Sequence, residues 1–225
     1  RTPEPAKQSL FPLQRLLYSK QVKLIKLLGK FCHVDEIIGM DDPYYYRNKV
    51  QSAFANKSGK TVSGIYQSTL GKIVPVDTCL LEDKDAQKIV ETIRKLCPNF
   101  KIKPYDLNTG SGFLRHVLIR TSAYNGKNLV ILVVNSTKEF EKLRVLAQKI
   151  YTELENIAGV GVNFNSQKTN LILGKETKIL FGNSFIEEKL TNKIFKVGAE
   201  TFFQINPFTA NNIFEYIKNY ISENF

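Results

Sequence analysis

The chain has 225 residues, 43% apolar and 24% charged, which suits one large or two small soluble domains and excludes a disordered or fibrous protein. It holds no run of about 18 apolar residues, so no membrane-spanning helix is expected, and its polar start, Arg1-Thr2-Pro3-Glu4-Pro5, does not resemble a signal peptide. The net charge of +11, from 32 Lys and Arg against 21 Asp and Glu, concentrates polyanions near the surface without proving that nucleic acid is the partner.

The charge is uneven. Residues 1–60 carry eleven basic and five acidic side chains. Within them, residues 9–30 predict a helix: Leu13, Leu16, Leu17, Leu24, Leu27 and Leu28 recur at helical spacing, with Arg15, Lys20, Lys23, Lys26 and Lys30 between them and Gly29 as a stop. The basic side is either a solvated face or a surface that lies along RNA phosphates. Next, Val50-Ser52-Phe54 and Thr61-Ser63-Ile65 alternate around Asn56-Lys57-Ser58-Gly59-Lys60, the pattern of a hairpin, with a further strand at 73–76. Residues 83–97 predict a helix with Ala86, Ile89, Val90 and Ile93 inward, ended by Pro98.

Strands are expected at 114–122 and 129–134, joined through Asn125-Gly126. A helix then starts at a Ser136/Glu139 capping box and runs to Leu154, with Gly159 past its end. Short strands follow at 161–165, 170–173, 178–181, 184–187, 194–197 and 201–203. A last helix opens at Asn206-Pro207 and carries Ile213, Phe214, Ile217 and Ile221 inward. Strands in blocks with tight turns predict an α+β fold, a mainly antiparallel sheet with packed helices. Cys32, Cys79 and Cys97 are odd in number, lack CxxC spacing and read as buried reduced thiols.

No catalytic centre follows from these residues alone, since there is no phosphate loop and only two histidines, His33 and His116. Three stretches stand out. Gly39 to Lys49 sets Tyr44, Tyr45 and Tyr46 beside Arg47 and Lys49, aromatics for bases and cations for phosphates, or equally an ordinary sheet edge. Gly110 to Val117, containing Arg115 and His116, gives either close approach of a nucleic-acid backbone or a plain loop. Phe202-Phe203-Gln204-Ile205-Asn206-Pro207 runs into a helix N-terminus that can face a ligand or simply be capped.

In order, these stretches resemble the landmarks of the RNA uracil-5-methyltransferase family, with the greatest likeness to its bacterial 23S ribosomal RNA branch. The likeness is carried by Arg47-Asn48-Lys49-Val50-Gln51, Gly64-Ile65-Tyr66, Val76 to Leu81, Leu114-Arg115-His116 with Val117 to Arg120, and Thr169-Asn170 with Leu173-Gly174. Phe181-Gly182 with Phe185-Ile186-Glu187 and the 202–207 block complete it. It runs from about Gly39 to the end. The polar start and the lack of an apolar span read as a cytoplasmic protein, expected to be a monomer. The resemblance implies part of an S-adenosylmethionine-dependent enzyme in which a Cys attacks C6 of uracil, C5 takes the methyl group and a base removes the C5 proton. It divides the chain into a basic helical segment (1–38), a central RNA-binding domain (39–197) and the start of a Rossmann-like methyltransferase domain (198–225).

The nucleophilic Cys and the base are expected beyond Phe225, so no catalytic residue is assigned and the chain alone is expected to be inactive. Gln204 matches a family position that contacts S-adenosylmethionine. Tyr46, Arg47, Lys49, Arg115, His116, Phe202 and Phe203 are the expected RNA-binding residues. Many members carry a CGGC-containing cysteine cluster before the first helix; Thr2 to Gln14 holds no Cys, so no iron–sulfur cluster and no other metal is expected. The alternative is a non-catalytic RNA-binding module. A third reading is an α+β domain whose basicity serves only solubility.

Overall fold

A computed structural model of the chain describes residues 12–67, 69, 71–169 and 171–224. The chain divides into two compact units, Arg1–Pro43 and Tyr44–Phe225. In the first, α1 (Pro12–Leu28) follows the leucine spacing; the earlier part of the expected helix, and Thr2 to Phe11 of the Cys-free stretch, lie outside the described residues. Arg15, Lys20, Lys23, Lys26 and Lys30 are exposed. Gly29 donates to the Ile25 carbonyl at 2.8 Å as the helix ends. The Gln21 side chain then ties down the following segment, donating to the Asp35 carbonyl at 2.9 Å and accepting from the Ile37 N–H at 2.7 Å. Cys32 is exposed and Cys79 half-buried, so of the three thiols expected to be buried only Cys97 is. No helix among the described residues is long and apolar enough to cross a membrane.

The second unit is built on a seven-stranded sheet. Its strands are β1 (Lys49–Lys57), β2 (Lys60–Gln67), β3 (Lys72–Pro75), β4 (Leu114–Thr121), β5 (Asn128–Val134), β6 (Ile157–Phe164) and β7 (Glu176–Gly182), in the order β3-β2-β1-β4-β5-β6-β7. Every pairing is antiparallel except β5–β6, which is parallel because α3 (Phe140–Glu153) crosses between them. The expected α+β architecture with a mainly antiparallel sheet is the one observed. The hairpin turns stand where the sequence puts them, at Ser58-Gly59 and at Ser122 to Lys127, with Gly59 and Gly126 both at positive φ.

α2 (Lys84–Leu96) starts at Asp83, whose carboxylate accepts from the Asp85 and Ala86 N–H groups at 2.9 and 3.0 Å. Its Ala86, Ile89, Val90 and Ile93, with Leu143, Leu146, Ala147 and Ile150 of α3, fill one face of the sheet against Val117, Ile119, Val130, Leu132, Val160 and Val162. The capping box expected at Ser136 does not form: α3 begins at Glu139 without a side-chain cap, after an irregular turn at 136–139. Gly159 is a residue of β6 rather than a helix stop; a Cβ there would fall on the Asn183 carbonyl oxygen.

On the opposite face lies a separate hairpin, β8 (Phe185–Leu190) and β9 (Lys193–Gly198). Ile186, Val197 and Ala199 form a second core with Leu118, Leu129, Ile131 and Val133. Two expected strands are absent, among the described residues, at 171–173 and 201–203. Their apolar alternation is real, since Ile172, Leu173 and Phe203 pack on this second core. Their backbone groups are instead held by side chains. Asn165 Nδ2 donates to the Leu171 and Ile172 carbonyls at 2.8 and 3.1 Å, and Asn163 brackets Gly174. Arg120 does the same for the 199–201 stretch.

Candidate functional site

Arg120, near the end of β4, is 2% exposed. Its guanidinium donates to the carbonyls of Ala199 and Thr201, and burial lowers its pKa to about 10, so it remains charged at neutral pH. Asn48, just before β1, takes the next residues: its N–H donates to the Ile205 carbonyl at 3.1 Å and its Nδ2 to that of Gln204 at 3.2 Å. These bonds join residues far apart in sequence and fix residues 199–205 as an extended strap. Phe203 turns inward, its ring 6.0 Å from that of Phe195. Phe202 and Gln204 face solvent, Phe202 at 83% exposure.

The strap ends at Asn206, whose Oδ1 accepts from the Thr209 N–H at 3.0 Å and caps α4 (Pro207–Asn224). Only Pro207 and Ala210 of α4 are buried. Ile213, Phe214, Ile217 and Ile221, expected inward, are exposed along with Phe208, Tyr216 and Tyr220; the buried Pro207 and Ala210, and Asn211, which accepts from the Thr191 N–H at 2.8 Å, all lie in the first two turns.

The Tyr44 to Lys49 stretch leads into β1. Tyr45, at φ 53, donates to the Leu80 carbonyl at 2.7 Å, and Arg47 to the Leu81 carbonyl at 2.8 Å. Lys84 Nζ lies 4.4 Å from the Tyr45 ring centroid. Tyr46, Arg47 and Lys49 are half-buried. Burial raises the pKa of Glu82, and the charge of Arg47 opposes that rise. Lys49 pairs with Arg120 across β1–β4; burial, then that neighbouring charge, lowers its pKa.

Arg115 is 3% exposed. Its guanidinium donates to Asn165 and Gln167 carbonyls at 2.5 and 2.7 Å and to that of Thr169 at 3.4 Å, and its Cζ lies 5.0 Å from the Tyr105 ring centroid. The glycines before it serve the loop: Gly112, at φ 91, lets the chain pass against the Pro104 carbonyl, where a Cβ would clash. His116 lies beside Arg115. Burial, with the Arg115 charge second, lowers its pKa to about 4, so its ring is neutral at pH 7.

The structure thus gathers the expected residues in three places: Phe202, Phe203 and Gln204 on the strap, Tyr46, Arg47 and Lys49 at the start of β1, and Arg115 with His116 on β4. The sequence motifs include Asn48 and Arg120 but give neither a role, and they pass over Asn163, Asn165 and Glu188, whose carboxylate accepts from the Ala123 and Tyr124 N–H groups at 2.9 and 3.0 Å. For Arg120 and Asn163 the signal was a polar residue beside apolar strand neighbours, since a buried polar group needs a partner. Among the described residues, no three His, Cys, Asp or Glu come together as a metal site.

No family model matches the chain. It is 34% identical over 220 residues to an uncharacterized RNA methyltransferase of Clostridium acetobutylicum, covering 92% of this chain and 48% of that protein. It is 32% identical over 217 residues to one of Clostridium tetani (92% and 47%) and 30% identical over 210 residues to one of Oceanobacillus iheyensis (91% and 46%). The chain spans about half the length of these curated relatives. Among solved structures it shares the fold of the Pyrococcus abyssi tRNA (uracil-54, C5)-methyltransferase in complex with S-adenosyl-L-homocysteine, with TM-score 0.75 and 20% identity over 93% of this chain and 49% of that one. The resemblance to RNA methyltransferases carried by the sequence motifs is borne out by these relatives.

Proposed function

We propose that this chain, homologous over 92% of its length to RNA methyltransferases, is the RNA-holding and cofactor-flanking part of a cytoplasmic S-adenosylmethionine-dependent enzyme that forms 5-methyluridine, with 23S ribosomal RNA as substrate. The observation that carries the reading is the strap. Arg120 and Asn48 fix its backbone from below, so the exposed Phe202 ring and Gln204 amide project from a rigid support. A rigid aromatic face beside an amide suits one wall of a site for an adenosine-containing cofactor and a substrate base. The bare apolar face of α4 is suited to be covered by polypeptide matching the rest of the relatives' length.

On this reading Cys97 is not the methyl-transfer nucleophile. Burial pushes the Cys97 thiol up to about 12, far from the thiolate such chemistry needs. The chain alone is expected to transfer no labelled methyl group from S-adenosylmethionine to uridine-containing RNA; one turnover by it would refute this part. In an enzyme of the relatives' full length, Gln204→Ala should raise the dissociation constant for S-adenosylmethionine, and an unchanged constant would remove Gln204 from the site. Replacing Arg47 and Lys49 together with Ala should weaken RNA binding and reduce its salt slope by about 1–2. An unchanged slope would leave both residues as structural.

A further inference from the structure

The sheet face opposite α2 and α3 is covered over β4–β6 by the β8–β9 layer. Next to that cover is a cleft of about 300 Å³, lined among others by Gln51, Tyr66, Tyr105, Arg115, His116 and Ile172. Register explains why the sheet contributes these side chains. Ala53 stands opposite both Gly64 and His116, so Gln51, Tyr66 and His116 share the face that Leu118 presents to the second core. Tyr105 comes from the loop before β4, and Ile172 from the segment held by Asn165.

The chemistry of the lining narrows the ligand. Arg115 is its cation, yet the guanidinium is buried and three of its five N–H donors are already held by carbonyl oxygens, which leaves little of its fork for a phosphate. His116 is neutral at pH 7. An anion placed here would lose its hydration and would meet the Arg115 charge only through a guanidinium already largely engaged by backbone carbonyls. What the cleft offers is aromatic surface from two tyrosines, the neutral amide of Gln51 and an imidazole whose Nδ1 is buried without a hydrogen-bond partner. A half-turn of that ring about its last torsion would bring this nitrogen to its other edge. The volume lies at the lower end of small-ligand sites, enough for one planar heterocycle.

We propose that this cleft receives a single unstacked nucleobase of bound RNA, its edge read by Gln51 and His116 and its face packed on tyrosine. The inference rests on the RNA reading above and adds a base contact separate from the strap, since neither Phe202 nor Gln204 lines the cleft. Phosphates would be held elsewhere.

The test uses the full chain labelled with ¹⁵N-histidine, where the two histidines are assigned with His33→Ala. Adenosine, guanosine, cytidine, uridine and ribose 5-phosphate are added in turn. Nucleosides should shift the His116 ring nitrogens, and ribose 5-phosphate should not. In parallel, a single-stranded RNA and an abasic chain of equal length are compared. The wild type should bind the RNA about tenfold more tightly. That gap should close in Gln51→Ala and in Tyr66→Ala while the salt slope stays the same. A wild type that binds both chains equally, or a gap unmoved in both variants, would overturn the proposal. Nucleosides that shift His116 while no RNA binds would keep the cleft and remove the RNA reading. Silence in both experiments would sink both.

Discussion

Two halves of one sheet face meet different fates. Over β4–β6 the face is sealed by the β8–β9 hairpin, and over β1 and β2 it borders a cleft. The strands that build the halves differ in the same way. β5, Asn128-Leu129-Val130-Ile131-Leu132-Val133-Val134, is buried along its whole length, because its odd and even residues face separate cores. β1 instead alternates: Val50, Ser52 and Phe54 turn toward the helices, while Lys49, Gln51 and Ala53 turn toward the cleft side. The first pattern maximises burial, and the second keeps polar groups where something can meet them.

That contrast can be broken by mutation, most strongly on the sealed side. Leu118 is fully buried in the second core, so Leu118→Ala should cost about 3–4 kcal/mol in a urea titration. A loss below about 1 kcal/mol would mean the hairpin does not seal that half. Arg120→Ala comes next. It strips two strap carbonyls of a charged donor and should cost about 2–3 kcal/mol, with faster amide exchange and proteolysis at residues 199–205. Arg120→Ala with unchanged strap protection would show that Asn48 suffices.

The pH dependence of the cleft side should be of similar size. His116 has a folded pKa of about 4 against an ordinary 6.5, so on acidification the unfolded chain takes up the proton first. Stability is then full above about pH 6.5 and falls as the pH drops toward 4, by on the order of 3 kcal/mol. His116→Gln should flatten this window, and an identical profile in the variant would place the acid sensitivity elsewhere. The smallest effect is expected for Gln51→Ala, whose stability should stay within about 0.5 kcal/mol of the parent. A loss of 2 kcal/mol would make Gln51 a structural residue and weaken its assignment to a ligand.

Much of this architecture was legible because its causes are local. The β1–β2 hairpin follows from Ser58-Gly59 between alternating runs, and α2 from Asp83 followed by apolar residues at helical spacing. The misread pieces share one physical origin. Residues 171–173 and 201–203 look like strands because they bury alternate side chains, yet asparagine and arginine side chains bond their backbones. Arg120 meets Thr201 across 81 residues and Arg115 meets Thr169 across 54, so no window of sequence around either reveals the pairing. The site was half legible for the same reason. Phe202 and Gln204 could be read as a block, but the groups that hold them still could not.

The long reach of Arg120 also bears on how the protein is made. Its partners, Ala199 and Thr201, follow the last strand of the seven-stranded sheet. During synthesis from the amino terminus, that sheet can assemble before the hairpin that covers it has emerged. For that interval Leu118, Leu129, Ile131 and Val133 stand in water around an unmatched guanidinium. A charge bordering an apolar surface opposes association with other chains, and the carbonyls that take up the Arg120 guanidinium follow the hairpin in the chain.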